Sequence, residues 1–412
     1  MSVYDVIVIG GGASGLISAI SAARHGAKVV IIEKTDRIGR KLLATGNGRC
    51  NMSNTNIADY KYNSDNSNFP LNILMHFNVD DTLGFFNELG ILHRIESEGR
   101  VYPFSEQAAA VLDVLLMEVN RLNIDILYDS PVKNIDKKNN IFYVNTPTKT
   151  VSSQKVIIAC GGMAGHQYGA DGSGYIIAQK FGHRIITPNP ALVQILSNQW
   201  YNKRLKGVRV KGQASLVCDG EKVKNAKGEI QFNEDGISGI CIFDLSRDLH
   251  EYINCGKKCF INIDMLPDYT YEDVIDILEA RLTHSPNKTI EEFLIGLINK
   301  KLISVILKLS GIKDMTLKAS RLSQASLAEI AKLLKGWEIP VSGTRSWEHA
   351  QVTAGGVDTR EIDEETLESR KISGLYFAGE IMDVDGICGG YNLQWAWSSG
   401  YIAGKNAANS SK

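Results

Sequence analysis

Val6-Ile7-Val8-Ile9-Gly10-Gly11-Gly12-Ala13-Ser14-Gly15-Leu16 is the stretch that decides the fold. Its four apolar, β-branched residues, bounded by glycine, read as a buried strand. The glycines at 10, 12 and 15 then match G-x-G-x-x-G, and Leu16 to His25 keeps helical spacing until Gly26. Lys28-Val29-Val30-Ile31-Ile32 reads as a second strand, closed by Glu33 and Lys34, with Glu33 standing 18 residues after Gly15. Each part has a task in a dinucleotide site. Gly10 permits the tight turn, Gly12 admits a pyrophosphate to the backbone, and Gly15 lets helix and strand pack closely. The free N–H groups around Ala13 and Ser14 open the helix, where its dipole favours an anion. Glu33 is placed to accept hydrogen bonds from a ribose diol, so FAD or NAD is expected rather than NADP.

The bulk numbers set bounds. A chain of 412 residues has room for two or three domains, and 44% apolar with 22% charged residues is ordinary for a globular protein. A net charge of −1 gives no global basic signal, so any nucleic-acid face must be local. The seven cysteines (50, 160, 218, 241, 255, 259 and 388) are scattered, without C-x-x-C. Reduced thiols in a cytoplasmic protein are expected, with neither a disulfide framework nor a metal site. The N-terminus lacks the basic region of a signal peptide, and no run reaches the ~18 apolar residues of a membrane span.

Residues 37–51 hold three glycines, four basic residues and two asparagines. Such a loop suits a phosphate and a heteroaromatic ring, the plainer alternative being a solvated basic loop. Residues 56–98 read as helical, with Phe77, Leu83, Phe85, Phe86 and Leu89 as a core stripe. Ser105 is expected to cap a helix over Ala108–Leu122. Short strands follow at Ile124–Tyr128, Val132–Ile135, Ile141–Asn145 and Val151. Lys155–Ala159 is a buried strand that ends on Gly161-Gly162. The texture changes near Pro188–Pro190. From 191 to 265 the pattern reads as strands, and from Tyr271 to Lys335 as helices. This middle part carries two basic segments, 203–227 and 300–335, each with eight Lys/Arg against two acids. A solvated face is one account of them, and an electrostatic footprint for a phosphate backbone is the other. From Val352 the glycine-rich α/β texture returns. A strand ends on Gly379-Glu380, a turn runs through Asp385 to Asn392, and a last helix begins at Leu393. The cofactor domain is therefore read as split, with both chain ends completing one sheet.

Together these blocks resemble flavoproteins of the glutathione-reductase type. More narrowly they resemble the BaiN/YhiN-like bacterial FAD-dependent oxidoreductases, also labelled aminoacetone-oxidase-like. Gly46-Asn47-Gly48-Arg49-Cys50-Asn51 and Gly389-Gly390-Tyr391-Asn392-Leu393-Gln394-Trp395-Ala396-Trp397 carry the resemblance most specifically. The resemblance implies an α/β fold with a split, Rossmann-like FAD-binding domain (1–190 and 346–412). Inserted into it would be a β-barrel-like domain (191–268) and a helical subdomain (269–345). It implies FAD, with Gly10, Gly12 and Gly15 at the pyrophosphate and Glu33 at the adenosine ribose. Arg40, Lys41, Leu42 and the 46–51 loop would run along the pyrophosphate and flavin, near Gly161 and Gly162. Val132 would meet the adenine, and Gly379-Glu380 the ribityl chain, with Asp385 beside it. Gly389, Gly390, Tyr391 and Asn392 would aim the last helix at the flavin's N1–O2 edge, where partial positive charge stabilises reduced flavin.

Two absences narrow the chemistry. Cys50 has no C-x-x-x-x-C partner, which removes a dithiol relay. No second dinucleotide fingerprint follows Glu33, so NAD(P)H would dock transiently or electrons would arrive another way. The resemblance implies reduction of a polarised C=C bond, with one branch acting on a uridine of 23S ribosomal RNA and another on bile-acid enones. Hydride to one carbon requires a proton at its neighbour. Cys50, Cys388, Tyr391 and Tyr102 are the candidate donors, each with a plain packing role as alternative. Uridine reduction leads, because the basic segments fall in the insert expected to roof the flavin. Reduction of a small enone, oxidation of a small amine, or a non-catalytic RNA-binding flavoprotein stand as alternatives.

Overall fold

Val6–Ile9 forms the middle of a mostly parallel sheet in the computed structural model, which describes residues 3–409. Strand Val3–Ile9 lies between Val29–Ile32 and Thr150–Ile158, parallel to both, and Asp125–Leu127 extends the sheet beyond Val29–Ile32. Parallel strands are covered on both faces and so tolerate no polar alternation. Accordingly Val6, Ile7, Val8, Val30 and Ile31 are all fully buried. Thr150–Ile158 changes partner along its length. Its first half pairs antiparallel with Ile141–Asn145, and Val156–Ile158 pairs with Leu375–Phe377 from the far end of the chain. Val151 and Lys155–Ile158, read as separate strands, thus belong to one.

The two chain ends meet a second time through helices. Ala13–Arg24 packs along the last helix, Tyr391–Asn409. The contact is backbone-close: a Cβ on Gly400 would lie 2.6 Å from the Ser14 carbonyl oxygen, and one on Gly404 only 2.2 Å from that of Ser18. Two glycines one turn apart on the last helix therefore fix its distance from the first. The described residues form two compact units, residues up to 190 together with those from 350 on, and residues 191–349.

Inside the second unit a seven-stranded antiparallel sheet is built on the hairpin Arg209–Cys218 and Glu221–Asn233. Its edge strands, Trp337–Pro340 and Gly343–Thr344, are nearly consecutive in the chain, so the sheet curls until its two edges approach. Residues 191–265, read as strands throughout, also contain the helix Ile240–Asn254. Cys241, Ile242, Leu245 and Leu249 bury one helical face against the hairpin. The helices expected as a separate subdomain share the sheet's core: Leu302, Ile306, Leu327 and Leu334 sit in one apolar cluster with Ile261, Ile263 and Trp337.

Three smaller expectations are corrected. The helix Ala108–Arg121 is preceded by Gln107 in the cap position, and Ser105 does not cap it. Residues 56–98 hold two helices, Phe69–His76 and Val79–Glu88, but end in the strand His93–Ile95. Cys218 and Cys259 oppose each other on paired strands, Cα to Cα 4.2 Å, and are joined as a disulfide. Their separation of 41 residues hid this from the sequence.

Candidate functional site

A cavity opens at the carboxyl ends of Val3–Ile9 and Val29–Ile32, where ligands settle in doubly wound sheets. Gly10, Gly12, Ala13, Ser14, Glu33, Lys34, Arg40, Lys41, Leu42, Val132, Gly161, Glu380, Asn392 and Leu393 all line it. Its walls keep their hydrogen-bonding groups for something else. The helix Ala13–Arg24 has Gly12 as its cap, with no side chain on its free N–H groups and no acid in its first turn. A Cβ on Gly12 would meet nothing within 4 Å, while one on Gly15 would sit 1.9 Å from the Gly10 carbonyl. Gly12 therefore faces open space and Gly15 faces protein.

Glu33 is held rigidly. One carboxylate oxygen accepts from the Gly11 N–H at 2.8 Å, the other from the N–H and hydroxyl of Thr35, both at 2.8 Å. The oxygen that accepts from Gly11 retains a lone pair for a ribose hydroxyl. Lys41 and Glu380 pair at 2.6 Å across 339 residues, and Glu380 also accepts the Thr353 N–H at 2.8 Å. A mixed-charge wall of this kind suits a chain of hydroxyls and phosphates. The donor-rich helix start, the rigid acid and this pair fit the two ends of a dinucleotide such as FAD.

Other predicted residues serve the site from behind. A Cβ on Gly379 would lie 2.4 Å from Ser14 Oγ, and one on Gly162 2.3 Å from Thr353 Oγ1, so both glycines allow close packing. Asp385 is buried and accepts the Asn63 side-chain amide at 2.9 Å. Asn392 both donates to and accepts from the backbone of Gly386, closing the turn. Gly390 abuts Ser53, and Gly389 accepts the Asn54 side chain at 2.9 Å.

The loop 46–51 does not line this cavity. Gly46, Asn47 and Cys50 adopt positive φ (57°, 56° and 61°), a coil that turns Arg49 aside. Arg49 donates to Glu96 at 2.5 Å and stacks 4.1 Å above the Tyr102 ring, so it is committed within the loop's own surroundings. Gly48 is open, and Asn51 lies against Gly390.

Two proton-donor candidates are enclosed. Cys50 is fully buried, and burial pushes its thiol up to about 12 despite a hydrogen bond from Thr45. Tyr391 is buried too, and its hydroxyl donates to the Asn56 carbonyl at 3.3 Å. Cys388 stays partly accessible, and Tyr102 lies within its electrostatic reach. Burial raises the Tyr102 phenol above its ordinary value, so it keeps its proton at neutral pH.

Sequence reasoning missed several wall residues. Ser130, Gln351 and Val352 line the cavity, as does Asp171, which pairs with Lys34 at 2.7 Å. The glycine turn at 169–174 was the available signal for Asp171. The Gln394-Trp395-Ala396-Trp397 block proves to be a clamp. Gln394 accepts from Ser53 Oγ at 2.6 Å and donates to Thr82 and Ser398, at 2.7 and 2.9 Å. Trp395 and Trp397 donate to the carbonyls of Gly379 and Met52.

Comparisons with known proteins agree with this architecture. A family model described as the HI0933-like protein Rossmann domain matches residues 4–406. The 3-dehydro-bile acid delta(4,6)-reductase of Clostridium scindens is 39% identical over 403 residues, 97% of this chain and 98% of that one. The ribosomal RNA dihydrouridine synthase of Escherichia coli is 32% identical over 413 residues, 100% of both chains. Among solved structures, the 3-ketosteroid delta1-dehydrogenase of Sterolibacterium denitrificans shares the fold, with a TM-score of 0.53 at 13% identity, covering 100% of both chains.

Proposed function

Since the chain belongs to the HI0933-like family and is an FAD-dependent oxidoreductase, we propose that it reduces a C=C bond conjugated to a carbonyl, in a uridine of 23S ribosomal RNA. The bond class is supported by two full-length relatives whose substrates differ in size. A delta(4,6)-reductase and a dihydrouridine synthase both saturate such a bond. FAD, when bound, supplies hydride-transfer chemistry, and NAD(P)H is proposed as its transient donor.

The chain's own residues would do the rest. Free N–H groups at Gly12–Ser14 hold the pyrophosphate, Glu33 a ribose hydroxyl, and Lys41 with Glu380 the chain of hydroxyls between. The start of the last helix, where no acid stands, presents positive potential. The proton for the second carbon would come from Cys388 Sγ, which is partly accessible, since Cys50, Tyr391 and Tyr102 are buried.

One observation carries the choice of RNA. Within the unit 191–349, Lys203, Arg204, Lys300, Lys301 and Lys308 are exposed and, among the described residues, have no ion-pair partner. The test is dihydrouridine in 23S rRNA, by nuclease digestion and mass spectrometry, with and without the gene. Loss on deletion, restored by the intact chain but not by Glu380→Ala, is the expected result. An unchanged level contradicts it. The higher identity to the bile-acid enzyme favours a second reading, a small conjugated enone as substrate, assayed against the photoreduced flavin.

A further inference from the structure

Half of the basic residues in 203–227 are engaged in ion pairs, most of them at the surface. Lys206 pairs with Glu234, Arg209 with Glu229, Lys224 with Asp248 and Lys227 with Asp268. In the second segment Lys335 is held by Asp264 at 2.7 Å. Among the described residues, Lys203, Arg204, Lys300, Lys301 and Lys308 are left without an ion pair where the short helix Asn202–Leu205 packs on the helix Lys300–Leu309, and Lys211, Lys222, Lys313, Lys318, Arg321 and Lys332 are left so elsewhere. Lys203 and Arg204 come from the first helix. Lys301 and Lys308 stand seven residues apart on the second, hence on one face two turns apart. The two basic segments, distant in sequence, converge there.

An indole stands at this junction. Trp200 is 52% exposed, unusual for a residue that is ordinarily well buried. The Lys308 ammonium lies 5.5 Å from its ring centroid. The indole is anchored beneath by an edge contact to Tyr201, which is buried against Trp337, itself stacked on Phe232. Glu234, an acid within electrostatic reach of Lys203, is taken up by Lys206 at 2.6 Å. A rigid, half-open aromatic face amid unpaired cations has the makings of a single-strand binding platform. One unpaired base stacks on the ring while neighbouring phosphates meet the ammonium and guanidinium groups. A plain solvated face needs no exposed indole, and an apolar protein contact would not gather like charges.

We propose that Trp200, with Lys203, Arg204, Lys301 and Lys308, forms a subsite for an unpaired nucleotide of RNA on the unit 191–349. This rests on the RNA reading above and adds to it a place and a mode of contact. Base stacking supplies affinity without sequence preference. The subsite would hold a looped-out strand and leave duplex RNA alone.

The test uses the full-length holoprotein and a fluorescein-labelled oligouridylate twelve nucleotides long, read by anisotropy across a salt series. Trp200→Ala is expected to weaken binding ~10-fold, within the range for loss of one base–aromatic stack. Trp200→Phe should restore most of it. Lys301→Gln with Lys308→Gln should make the dependence of log K on log salt shallower by about 1.4, at ~0.7 per phosphate contact on a single strand. A thermal midpoint for each variant confirms folding, and the Phe and Gln variants stand if the Ala variant does not fold. Binding that is unchanged in Trp200→Ala, or duplex RNA that competes as well as single strand, overturns the subsite. Absence of any oligouridylate binding by the native protein also overturns it, yet leaves C=C reduction open to the enone assay. Weakened binding in Trp200→Ala with unchanged dihydrouridine in the deletion strain supports the subsite and rejects the uridine reading, so the two failures are distinct.

Discussion

The glycine-rich starts of the first and last helices look alike in sequence and behave as opposites in the fold. At Gly12–Ser14 the helix N–H groups have no side-chain cap and face a cavity. At Gly389–Trp397 almost every polar group is consumed within the protein, by Asn54, Gly386, Ser53, Thr82 and the Met52 and Gly379 carbonyls. One region reserves its hydrogen bonds for a ligand, while the other, which also lines the cavity through Asn392 and Leu393, uses its side-chain hydrogen bonds to hold the chain ends together. A motif's specificity in sequence therefore says little about which of the two it does. Unspent donors at a cavity mark binding, and satisfied buried networks mark architecture.

Four substitutions bear on that contrast. The largest effect is expected for Gly15→Val, whose Cβ would overlap the Gly10 carbonyl. Loss of more than ~4 kcal/mol, seen as failure to accumulate folded protein, follows from backbone strain at a site that cannot move. Near-native stability would show that strand and helix can separate there. Next comes Gln394→Leu, which strands the buried hydroxyls of Ser53 and Thr82. Urea unfolding should report a loss of about 2–4 kcal/mol. Flavin content should fall only in step with the folded fraction.

Gly12→Ala is the converse. Gly12 has φ −79°, which alanine adopts without strain, and open space beyond it. Apo stability should change by less than ~1 kcal/mol, while the added methyl stands where the pyrophosphate approaches and raises the flavin dissociation constant ~10-fold or more.

The smallest effect concerns Cys50. Its thiol is held from the ordinary 9.0 up to about 12 by burial. Between those values the unfolded chain releases a proton that the folded chain keeps, so stability falls as pH rises through 9 toward 12. Cys50→Ala should flatten that alkaline decline slightly and leave neutral-pH turnover nearly unchanged. A large loss of turnover would restore Cys50 as a proton donor.

What the sequence disclosed and what it hid divide along a physical line. Gly10, Gly12, Gly15 and Glu33 act over short chain distances, and strand, turn and helix spacing made their roles readable. Glu380 was legible as an acid ending a strand, but its pairing with Lys41, 339 residues away, was not. The Cys218–Cys259 bond and the neutralising of Lys206, Arg209, Lys224 and Lys227 depend on strand register and helix placement, which no local pattern encodes. Ile240–Asn254 is a different case. Cys241, Ile242, Leu245 and Leu249 have helical spacing, and a run of neighbouring strands obscured it. Arg49 is the reverse case, a basic residue in a glycine loop that pairs with Glu96 and stacks on Tyr102.

The most direct test of the contrast is one paired measurement on Gly12→Ala and Gln394→Leu: the FAD dissociation constant and the urea midpoint of the apoprotein, determined on the same preparations. The account predicts that Gly12→Ala weakens FAD binding ~10-fold or more at an unchanged midpoint, while Gln394→Leu lowers the midpoint with the affinity of the folded fraction retained. If both variants lose affinity and stability together, the division between a binding end and a structural end is wrong.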